Sequence, residues 1–236
     1  MLQESKESQR IRDVYEKRKI NCYSQLYTAF NSGNFFIIQR RDYEIINILK
    51  RYGISSLTEK KILDLGCGTG GELRNLIRYG ARPENLYGID VLPDRIESAK
   101  TLSPNIEFEC RNALQLPYAD ESFDIVMQFT VFTSILDFET KKRVAGEMIR
   151  VLRPRGVILW YDFFMGNPKN HDVKGVKKKE IDELFPLCNI AMKRITLAPP
   201  IVRLIAPYSW FICYLLEKLK ILNTHYIGII RKISVN

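Results

Sequence analysis

The 236-residue sequence has few of the residues that build metal and redox sites. It contains only two histidines, and its five cysteines are widely spaced with no C-x-x-C pair, so the sequence predicts reduced thiols and no metal centre. No apolar run reaches 18 residues, and the N-terminal stretch lacks the apolar core of a signal peptide. We therefore expect a cytoplasmic protein.

The net charge of +9 is unevenly distributed. Residues 1–60 carry 11 basic and 7 acidic side chains (+4), residues 61–163 carry 13 and 15 (−2), and residues 164–236 carry 12 and 5 (+7). Basic flanks are compatible with RNA, an anionic membrane surface or an anionic substrate, and equally with an ordinary solvated surface. Charge alone therefore does not identify a partner.

The centre of the chain alternates strand and helix signals. Short β-rich runs are KILDL (61–65), LYGID (86–90), IEFEC (106–110), FDIVMQF (123–129) and GVILWYDFF (156–164). Helical patterns occupy 71–80, 93–102 and 138–152. The alternation predicts an α/β fold with a mostly parallel sheet and helices on both faces.

The two flanks are predicted to decorate this centre within a single domain, 1–236. Residues 1–55 have the pattern of two or three helices, which would cover the core 61–163. Residues 164–236 contain a loop, a short helix and two late strands, NIAMKRITL and THYIGIIRKI. Between those strands lies an apolar, aromatic-rich insertion, 198–223, which we expect to form a helical lid.

The stretch ILDLGCGTGG (62–71) places four glycines directly after an apolar run. A glycine-rich turn between a strand and a helix lets a nucleotide approach the backbone where a Cβ would collide. Gly66-x-Gly68-x-x-Gly71 fits the dinucleotide fingerprint loosely, and Asp90 follows about 20 residues later, where it could hold ribose hydroxyls. An NAD-type oxidoreductase is therefore one interpretation.

Asp64 argues against that interpretation. It lies inside the first strand, where a buried carboxylate is costly unless it faces a positive charge or hydrogen-bond donors. A pyrophosphate would be repelled by this acid, whereas the cationic, amine-bearing end of S-adenosylmethionine would be attracted.

Five motifs in order carry a more specific resemblance. LDLGCGTG, GID, NAL, FDIVMQF and LRPRG occur at the cofactor turn, the second strand end, the third strand end, the fourth strand and the turn before the fifth strand. Residues 61–163 resemble the class I S-adenosylmethionine-dependent methyltransferases, of the type found in small-molecule and glycan biosynthesis. The resemblance implies a Rossmann-like seven-stranded sheet whose last strand is antiparallel. A cofactor-binding protein without catalytic activity remains an alternative.

The resemblance also assigns cofactor contacts. The glycine turn would wrap the methionine part of S-adenosylmethionine, Asp90 would accept both ribose hydroxyls, and the fourth strand would end at the sulfonium. The residues so implied are Asp64, Gly66, Cys67, Gly68, Gly70, Asp90, Val91, Leu92, Asn112, Ala113, Gln128 and Phe129. S-adenosylhomocysteine would be the product.

Candidates for chemistry on the acceptor are fewer. A hydroxyl acceptor needs a base, and we predict His225, at the start of the last strand, and Asp162, at the end of the fifth. Tyr161 and Phe132 are predicted substrate contacts. Core packing is an equal alternative for His225 and for Phe129, and His171 belongs to a basic loop where solvation is favoured.

The acceptor is predicted to be a small molecule, with a sugar, glycan or natural-product hydroxyl favoured. DNA is disfavoured because QFTV replaces the D/N-P-P-Y/F run of DNA amino-methyltransferases, while RNA stays open. An alternative places 198–223 on a membrane surface, with a lipid or quinone as acceptor. In it Tyr208, Trp210 and Tyr214 sit at headgroup depth and Arg203, Lys218 and Lys220 face phosphates.

Overall fold

The computed structural model of the chain describes residues 6–20, 27–166 and 170–233, without the side chains of residues 18–20. Seven strands are present in these ranges: β1 (Ile62–Leu65), β2 (Leu86–Asp90), β3 (Glu107–Cys110), β4 (Phe123–Phe129), β5 (Leu152–Phe163), β6 (Cys188–Leu197) and β7 (Asn223–Lys232).

Helices lie between most of the strands and precede the first. They are α1 (Lys6–Ile20), α2 (Ser32–Arg51), α3 (Gly71–Arg78), α4 (Pro93–Leu102), α5 (Phe138–Val151), α6 (Lys178–Leu184), α7 (Pro199–Ile205) and α8 (Trp210–Lys218). Two short 3-10 turns, Pro83–Asn85 and Phe132–Ser134, precede β2 and follow β4.

The seven strands form one sheet in the order β3-β2-β1-β4-β5-β7-β6. Neighbours from β3 to β5 are parallel, and β7 runs antiparallel to both β5 and β6. This topology confirms the predicted Rossmann-like sheet with an antiparallel last strand. Because β1 and β4 are adjacent but their crossovers leave in opposite directions, their carboxyl ends open a crevice at the point where ligands bind in such sheets.

One predicted boundary was wrong. The segment LRPRG was expected to turn before a fifth strand that starts at Gly156, but β5 already begins at Leu152. Phe123 pairs with Leu152 while Ile125 pairs with Val157, so β5 carries three extra residues as an irregularity in the ladder. The backbone thus absorbs the proline and glycine as a bulge at the edge of the pairing, which is where sheets tolerate them.

Two apolar layers cover the sheet. Alternate side chains of the central strands, such as Ile62 and Leu63, point to opposite faces. Helices α2, α3 and α4 pack on the face that contains Ile62, and α5 and α6 pack on the face that contains Leu63. Residues on β4, β5 and β7 are therefore divided between two environments, which separates the predicted site residues.

The insertion between β6 and β7 consists of α7 and α8, which confirms the predicted helical insertion. Helix α7 crosses α2 so closely that a Cβ on Gly33 would lie 2.8 Å from the Arg203 Cα. A small buried cluster, including Phe36, Val202 and Cys213, joins α2, α7 and α8. Across the described part of the chain, no helix combines the length and apolar character needed to span a bilayer.

Candidate functional site

The turn after β1 adopts a backbone that only glycine accepts easily. Gly66, Gly68 and Gly70 have φ values of +69°, +55° and +78°. A Cβ on Gly66 would also lie 2.5 Å from the Val131 Cγ2, so even alanine would collide there. The glycines are needed both for conformation and for close approach, as a ligand-binding turn requires.

Asp90 holds this turn in place from the end of β2. Its Oδ2 accepts a hydrogen bond of 2.9 Å from the Gly68 N–H, and its Oδ1 accepts one of 3.0 Å from the Leu92 N–H. Burial raises the pKa of Asp90, although these hydrogen bonds and the charge of Arg95 oppose the rise. Each oxygen keeps a further lone pair for ligand hydroxyls.

A cavity of about 140 Å³ lies between the glycine turn, the ends of β2 and β3, and the segment after β4. Its apolar part includes Val91, Leu92 and Ala113, and its polar part includes Asp90 and Asn112. The combination of an apolar slot with a carboxylate and an amide suits a nucleoside.

Asp64 lies below the turn in an acidic environment. Burial raises its pKa well above the ordinary value, and the negative charges of Glu72 and Asp90 raise it further. Arg41 provides the opposing positive charge. A cationic ligand group placed here would stabilise the Asp64 carboxylate, as expected if this acid attracts a cation and repels a pyrophosphate.

Arg41, on α2, reaches into the same region from the opposite side. Its Nη2 donates to the Glu72 Oε1 at 2.5 Å, and its guanidinium lies 5.2 Å from the Phe129 ring centroid and 5.5 Å from that of Tyr161. Its Nε–H is buried and finds no acceptor within the described residues. A buried cation with an unused donor is a ready partner for an anionic ligand group.

Tyr161 is held by two threonines that themselves have a strained backbone conformation. Thr130 and Thr196 have φ values of +59° and +65°, which are rare for β-branched residues. The Thr130 N–H donates to the Tyr161 carbonyl at 2.8 Å, and the Thr196 hydroxyl lies 2.9 Å from the Tyr161 hydroxyl. Strain of this kind costs about 1–3 kcal/mol per residue and is concentrated at functional sites.

His225 stacks on Tyr161, with ring centroids 4.7 Å apart and planes inclined by 11°. Burial lowers the pKa of His225 to about 3, and repulsion from Arg41 contributes. The Thr224 hydroxyl lies 3.3 Å from the Thr196 carbonyl and 2.9 Å from the His225 Nδ1. We assign the hydroxyl proton to the carbonyl, which places the imidazole proton on Nδ1 and leaves Nε2 as a proton acceptor, weakened by the lowered pKa.

Three predicted residues face the other side of the sheet. Asp162 is fully buried and accepts hydrogen bonds from the Thr133 hydroxyl, the Thr133 N–H and the Phe163 N–H. Burial raises the pKa of Asp162 to about 7. Phe132 packs against Trp160, and the Gln128 Oε1 accepts from the Val131 N–H. All three therefore order the segment after β4.

Helix α1 covers the cavity. Its Glu7 accepts from the Leu136 N–H at 2.6 Å, and its Ser8 hydroxyl accepts from the Asn112 amide at 2.6 Å. Burial opposes ionisation of Glu7, but hydrogen bonds from Arg10 and Leu136 prevail and lower its pKa. The first helix is thus tied to both the β3 and the β4 sides of the crevice.

The structure brings most of the predicted cofactor residues to one place. Those that line the cavity are Gly66, Asp90, Val91, Leu92, Asn112, Ala113 and Phe129. Gly68 and Gly70 form the turn beside it, and Asp64 lies beneath the turn. Cys67 packs into the apolar layer, where burial raises the pKa of its thiol far above the usual range.

The sequence interpretation missed Arg41 and Thr130. Arg41 lies in a helix 21 positions before the first core strand, and nothing in its local pattern separates it from the adjacent Arg40. Thr130 follows directly on a predicted site residue, but its positive φ has no sequence signal. Both owe their positions to contacts between distant segments.

These residues fit S-adenosylmethionine. The glycine turn has a left-handed backbone free of side chains, against which the methionine part would lie, and Asp90 has free lone pairs at the apolar slot. The unused Arg41 donor and the Asp64 carboxylate supply opposite charges for a zwitterionic, sulfonium-bearing ligand.

Comparison with known proteins agrees. Residues 62–156 match the methyltransferase-domain family. The chain is 29% identical over 185 residues to norajmaline N-methyltransferase of Rauvolfia serpentina, covering 75% of this chain and 61% of that protein. It is 30% identical over 152 residues to demethylmenaquinone methyltransferase of Lactococcus lactis, covering 62% and 58%. The chain spans between 39% and 61% of the length of the curated relatives it matches.

A solved S-adenosylmethionine-dependent methyltransferase from Methanosarcina mazei has the same fold, with a TM-score of 0.60 and 18% identity over 80% of this chain and 98% of that one. Family match, topology and site chemistry agree, and they favour this family over the dinucleotide oxidoreductases. Residues 62–156 thus form a methyltransferase domain, and its fold and site chemistry are those of the class I S-adenosylmethionine-dependent type.

Proposed function

We propose that this chain transfers a methyl group from S-adenosylmethionine to a hydroxyl of a largely apolar small molecule. The observation that supports this proposal most is an aromatic wall: Phe129 lines the cavity, and the buried Tyr161 packs behind it. Phe129 and Tyr161 meet edge to face at 5.7 Å, and the Tyr161 hydroxyl is already bonded to Thr196. Such a wall offers contact area but few hydrogen-bond partners, which suits an apolar acceptor better than a sugar or glycan.

The cofactor, when bound, supplies a methyl carbon activated by positively charged sulfur. Asp90 would hold the ribose, Val91 and Leu92 would flank the adenine, and Asn112 would lie at its edge. Arg41 would hold the carboxylate of the methionine part with its free Nε–H, and Asp64 would balance the cationic part. These assignments use the charges and free lone pairs described above.

The chain's contribution to the reaction is mainly alignment in a water-poor site. Thr130 is held in its strained conformation by Tyr161. It orders the chain next to Phe129, which belongs to the wall against which the acceptor would lie. Helix α1 would keep water from the nucleoside. His225 remains the predicted proton acceptor, through Nε2, provided that a bound ligand raises its pKa from about 3.

The relatives support an apolar acceptor. Two of the proteins that resemble this chain are named for quinone-type substrates, demethylmenaquinone and 2-methyl-6-phytyl-1,4-hydroquinone, and one for an alkaloid. The sequence left open a sugar, glycan or natural-product hydroxyl and a membrane-associated lipid or quinone, and these names favour the apolar candidates among them.

The direct test is an extraction assay. The protein is incubated with methyl-labelled S-adenosylmethionine and a panel that contains a short-chain hydroquinone, a simple phenol and a nucleotide sugar. We expect label in the organic phase with the first two and none in the nucleotide sugar, and no transfer by the Asp90→Ala variant. Labelling confined to the nucleotide sugar would contradict the proposed acceptor.

Calorimetric titration separates the enzyme classes. S-adenosylmethionine, S-adenosylhomocysteine and NADH are titrated side by side into the same preparation. We expect binding of the two sulfur nucleotides only. Preference for NADH would favour an oxidoreductase, and binding of the sulfur nucleotides without transfer to any acceptor would favour a non-catalytic cofactor-binding protein.

A further inference from the structure

We propose that the outer face of α7, α8 and the turn after them docks on an anionic phospholipid membrane. We call this surface the α8 face and define it by Leu204, Tyr208, Phe211, Leu215, Leu219 and Ile221. All six side chains are exposed. The inference deepens the proposed function, because a membrane is the phase from which an apolar acceptor would be taken.

Helix α8 is apolar on the side that faces solvent. Its buried stripe contains Cys213 and Glu217, one helical turn apart, while Phe211, Tyr214 and Leu215 point outward. Phe211 is 69% exposed, Leu204 72% and Tyr208 88%. A surface helix of a globular protein normally presents polar residues to water, and an apolar outward face of this extent marks an interaction surface.

The apolar surface continues onto the start of α2. Trp210 contacts Phe35 and Phe36, with ring centroids 5.6 and 5.4 Å apart. Phe30, just before α2, is fully exposed. The guanidinium of Arg203 lies 5.8 Å from the Tyr27 ring centroid, which links α7 to the same region. The exposed aromatic residues therefore belong to one side of the molecule.

Charge complementarity identifies the occupant. Residues 198–223, all of which the structure describes, contain one acid, Glu217, and it is buried in an ion pair with Arg40 at 2.6 Å. The other charges in this segment are basic: Arg203, Lys218 and Lys220. An apolar face with a purely cationic rim matches an anionic lipid surface, in which rings insert and amines meet phosphates.

The same charges disfavour a second copy of the chain. A symmetric dimer through the α8 face would bring the Lys218 and Lys220 rims of both copies together without a surface acid in the segment to pair with them.

The α8 face is also held in place by buried hydrogen bonds. The Glu217 carboxylate accepts from the Thr196 N–H, and the Glu217 backbone carbonyl accepts from the Asn223 side-chain amide at 3.0 Å.

The α8 face lies at the edge of the sheet that carries the site. Helix α7 follows Leu197, the last residue of β6, and β6 runs parallel to β5. The insertion therefore begins at the carboxyl edge, where Phe129 and the cavity also lie. Docking through this face would turn the acceptor side of the crevice toward the lipid.

The test is vesicle flotation of the full chain. Vesicles of phosphatidylcholine alone are compared with vesicles of equal parts phosphatidylcholine and phosphatidylglycerol, at low and high salt. We expect binding to the anionic vesicles only, reduced by salt. The double variant Phe211→Ser/Leu215→Ser should lower the partition coefficient by about tenfold or more, and Lys218→Glu/Lys220→Glu should abolish the preference for anionic lipid.

Leu102→Ser is the matched control. Leu102 is 61% exposed at the end of α4, which packs with β2 and β3 at the opposite edge of the sheet from β6 and α8, and this variant should bind vesicles as the parent does. Thermal unfolding of each variant verifies the fold. Because all substituted side chains are exposed, we expect little change in melting temperature.

Three results would overturn the inference: no flotation of the parent chain with anionic vesicles, flotation that Phe211→Ser/Leu215→Ser leaves unchanged, or a dimer in light scattering that this variant dissolves. Flotation without methyl transfer to apolar acceptors would instead contradict the proposed function alone. Transfer to a soluble phenol without flotation would contradict the membrane inference alone.

Discussion

The carboxyl edge of the sheet has two halves with different chemistry. Around β1 and β2 the buried polar groups are the carboxylates of Asp64 and Asp90, and the partly exposed Glu72 lies beside them. On the face of β5 and β7 that packs against α2, they are hydroxyls and the neutral imidazole of His225, packed among aromatic rings. Arg41 stands between the halves and contacts both. The difference indicates that one half is built for a charged ligand and the other for an uncharged one.

The two predicted bases, His225 and Asp162, lie on opposite faces of the sheet. His225 is on the α2 face beside Arg41 and Tyr161, whereas Asp162 is on the α5 face with its oxygens occupied by Thr133 and Phe163. Two residues with similar burial therefore have different neighbours. Only the first adjoins the wall that we assign to the acceptor.

The strongest test of the acidic half is Asp90→Ala. Loss of the carboxylate removes the ribose contacts and frees the Gly68 and Leu92 N–H groups, and hydrogen bonds to a charged group contribute about 1.5–3 kcal/mol each. We expect the calorimetric Kd for S-adenosylmethionine to rise about 100-fold. The Kd of Asp90→Asn should lie between those of Asp90→Ala and the parent chain. A change below threefold, on the order of 0.6 kcal/mol, would contradict the assignment.

Gly66→Ala tests whether the turn needs room as well as flexibility. Gly80→Ala is the control, because Gly80 also has a positive φ, +94°, but nothing lies within 4 Å of its Cβ position. Gly80→Ala should lose about 1 kcal/mol in urea unfolding from backbone strain, and Gly66→Ala should lose more because its Cβ also collides with Val131. Only Gly66→Ala should also weaken S-adenosylmethionine binding, by about tenfold, because its Cβ meets Val131. Equal affinities in the two variants would refute the close-approach argument.

Arg41→Gln tests the group that joins the two halves. Removal of the cation leaves Glu72 and Asp64 without their opposing charge and the proposed carboxylate contact unmade. We expect an approximately tenfold higher Kd for S-adenosylmethionine. The control is Arg40→Gln, since Arg40 is the adjacent buried arginine but pairs with Glu217 and Glu44. If Arg40→Gln weakens cofactor binding as much, the role given to Arg41 is wrong.

His225→Phe tests the neutral half, and we expect its effect in the pH dependence of stability, with the smallest effect of the four on cofactor affinity. Since the pKa of His225 is lowered to about 3 when folded, the unfolded chain binds this proton first as the pH falls below 6.5. The free energy of unfolding of the parent chain should thus decline more steeply from pH 6.5 toward pH 3 than that of His225→Phe. His171→Phe, in an exposed loop, is the control. Parallel pH profiles for parent and His225→Phe would show that the imidazole is not held neutral.

Much of the fold could be predicted because its signals are local. β2, β4 and α4 have the predicted bounds, since each combines a uniform pattern with a clear start and stop. β5 was misjudged because a Pro-x-Gly sequence is compatible with either a turn or a bulge. Pairing with the neighbouring strand decides between them, and that partner is distant in the chain.

The site divides along the same line. Gly66 and Asp90 could be assigned because Gly66 follows directly on β1 and Asp90 is the last residue of β2, and the sequence reveals both strand ends. The faces of Asp162 and Phe132, and the reach of Arg41 from α2, could not, because they depend on how strands and helices pack. A side chain's direction at a strand end reverses with a one-residue change of register.

The sequence by itself determined the half of the site that we assign to the cofactor: a glycine turn, an acid at the second strand end and alternating strands leave one parallel fold with a crevice at β1 and β4. Only the tertiary structure decided the half that we assign to the acceptor. There Arg41, Tyr161 and His225 come from three separate segments. Their mutual contacts and the shifts of their pKa values arise only when folding buries them away from water. Short-range backbone requirements are written in neighbouring residues, whereas desolvation and charge pairing arise between residues that folding brings together.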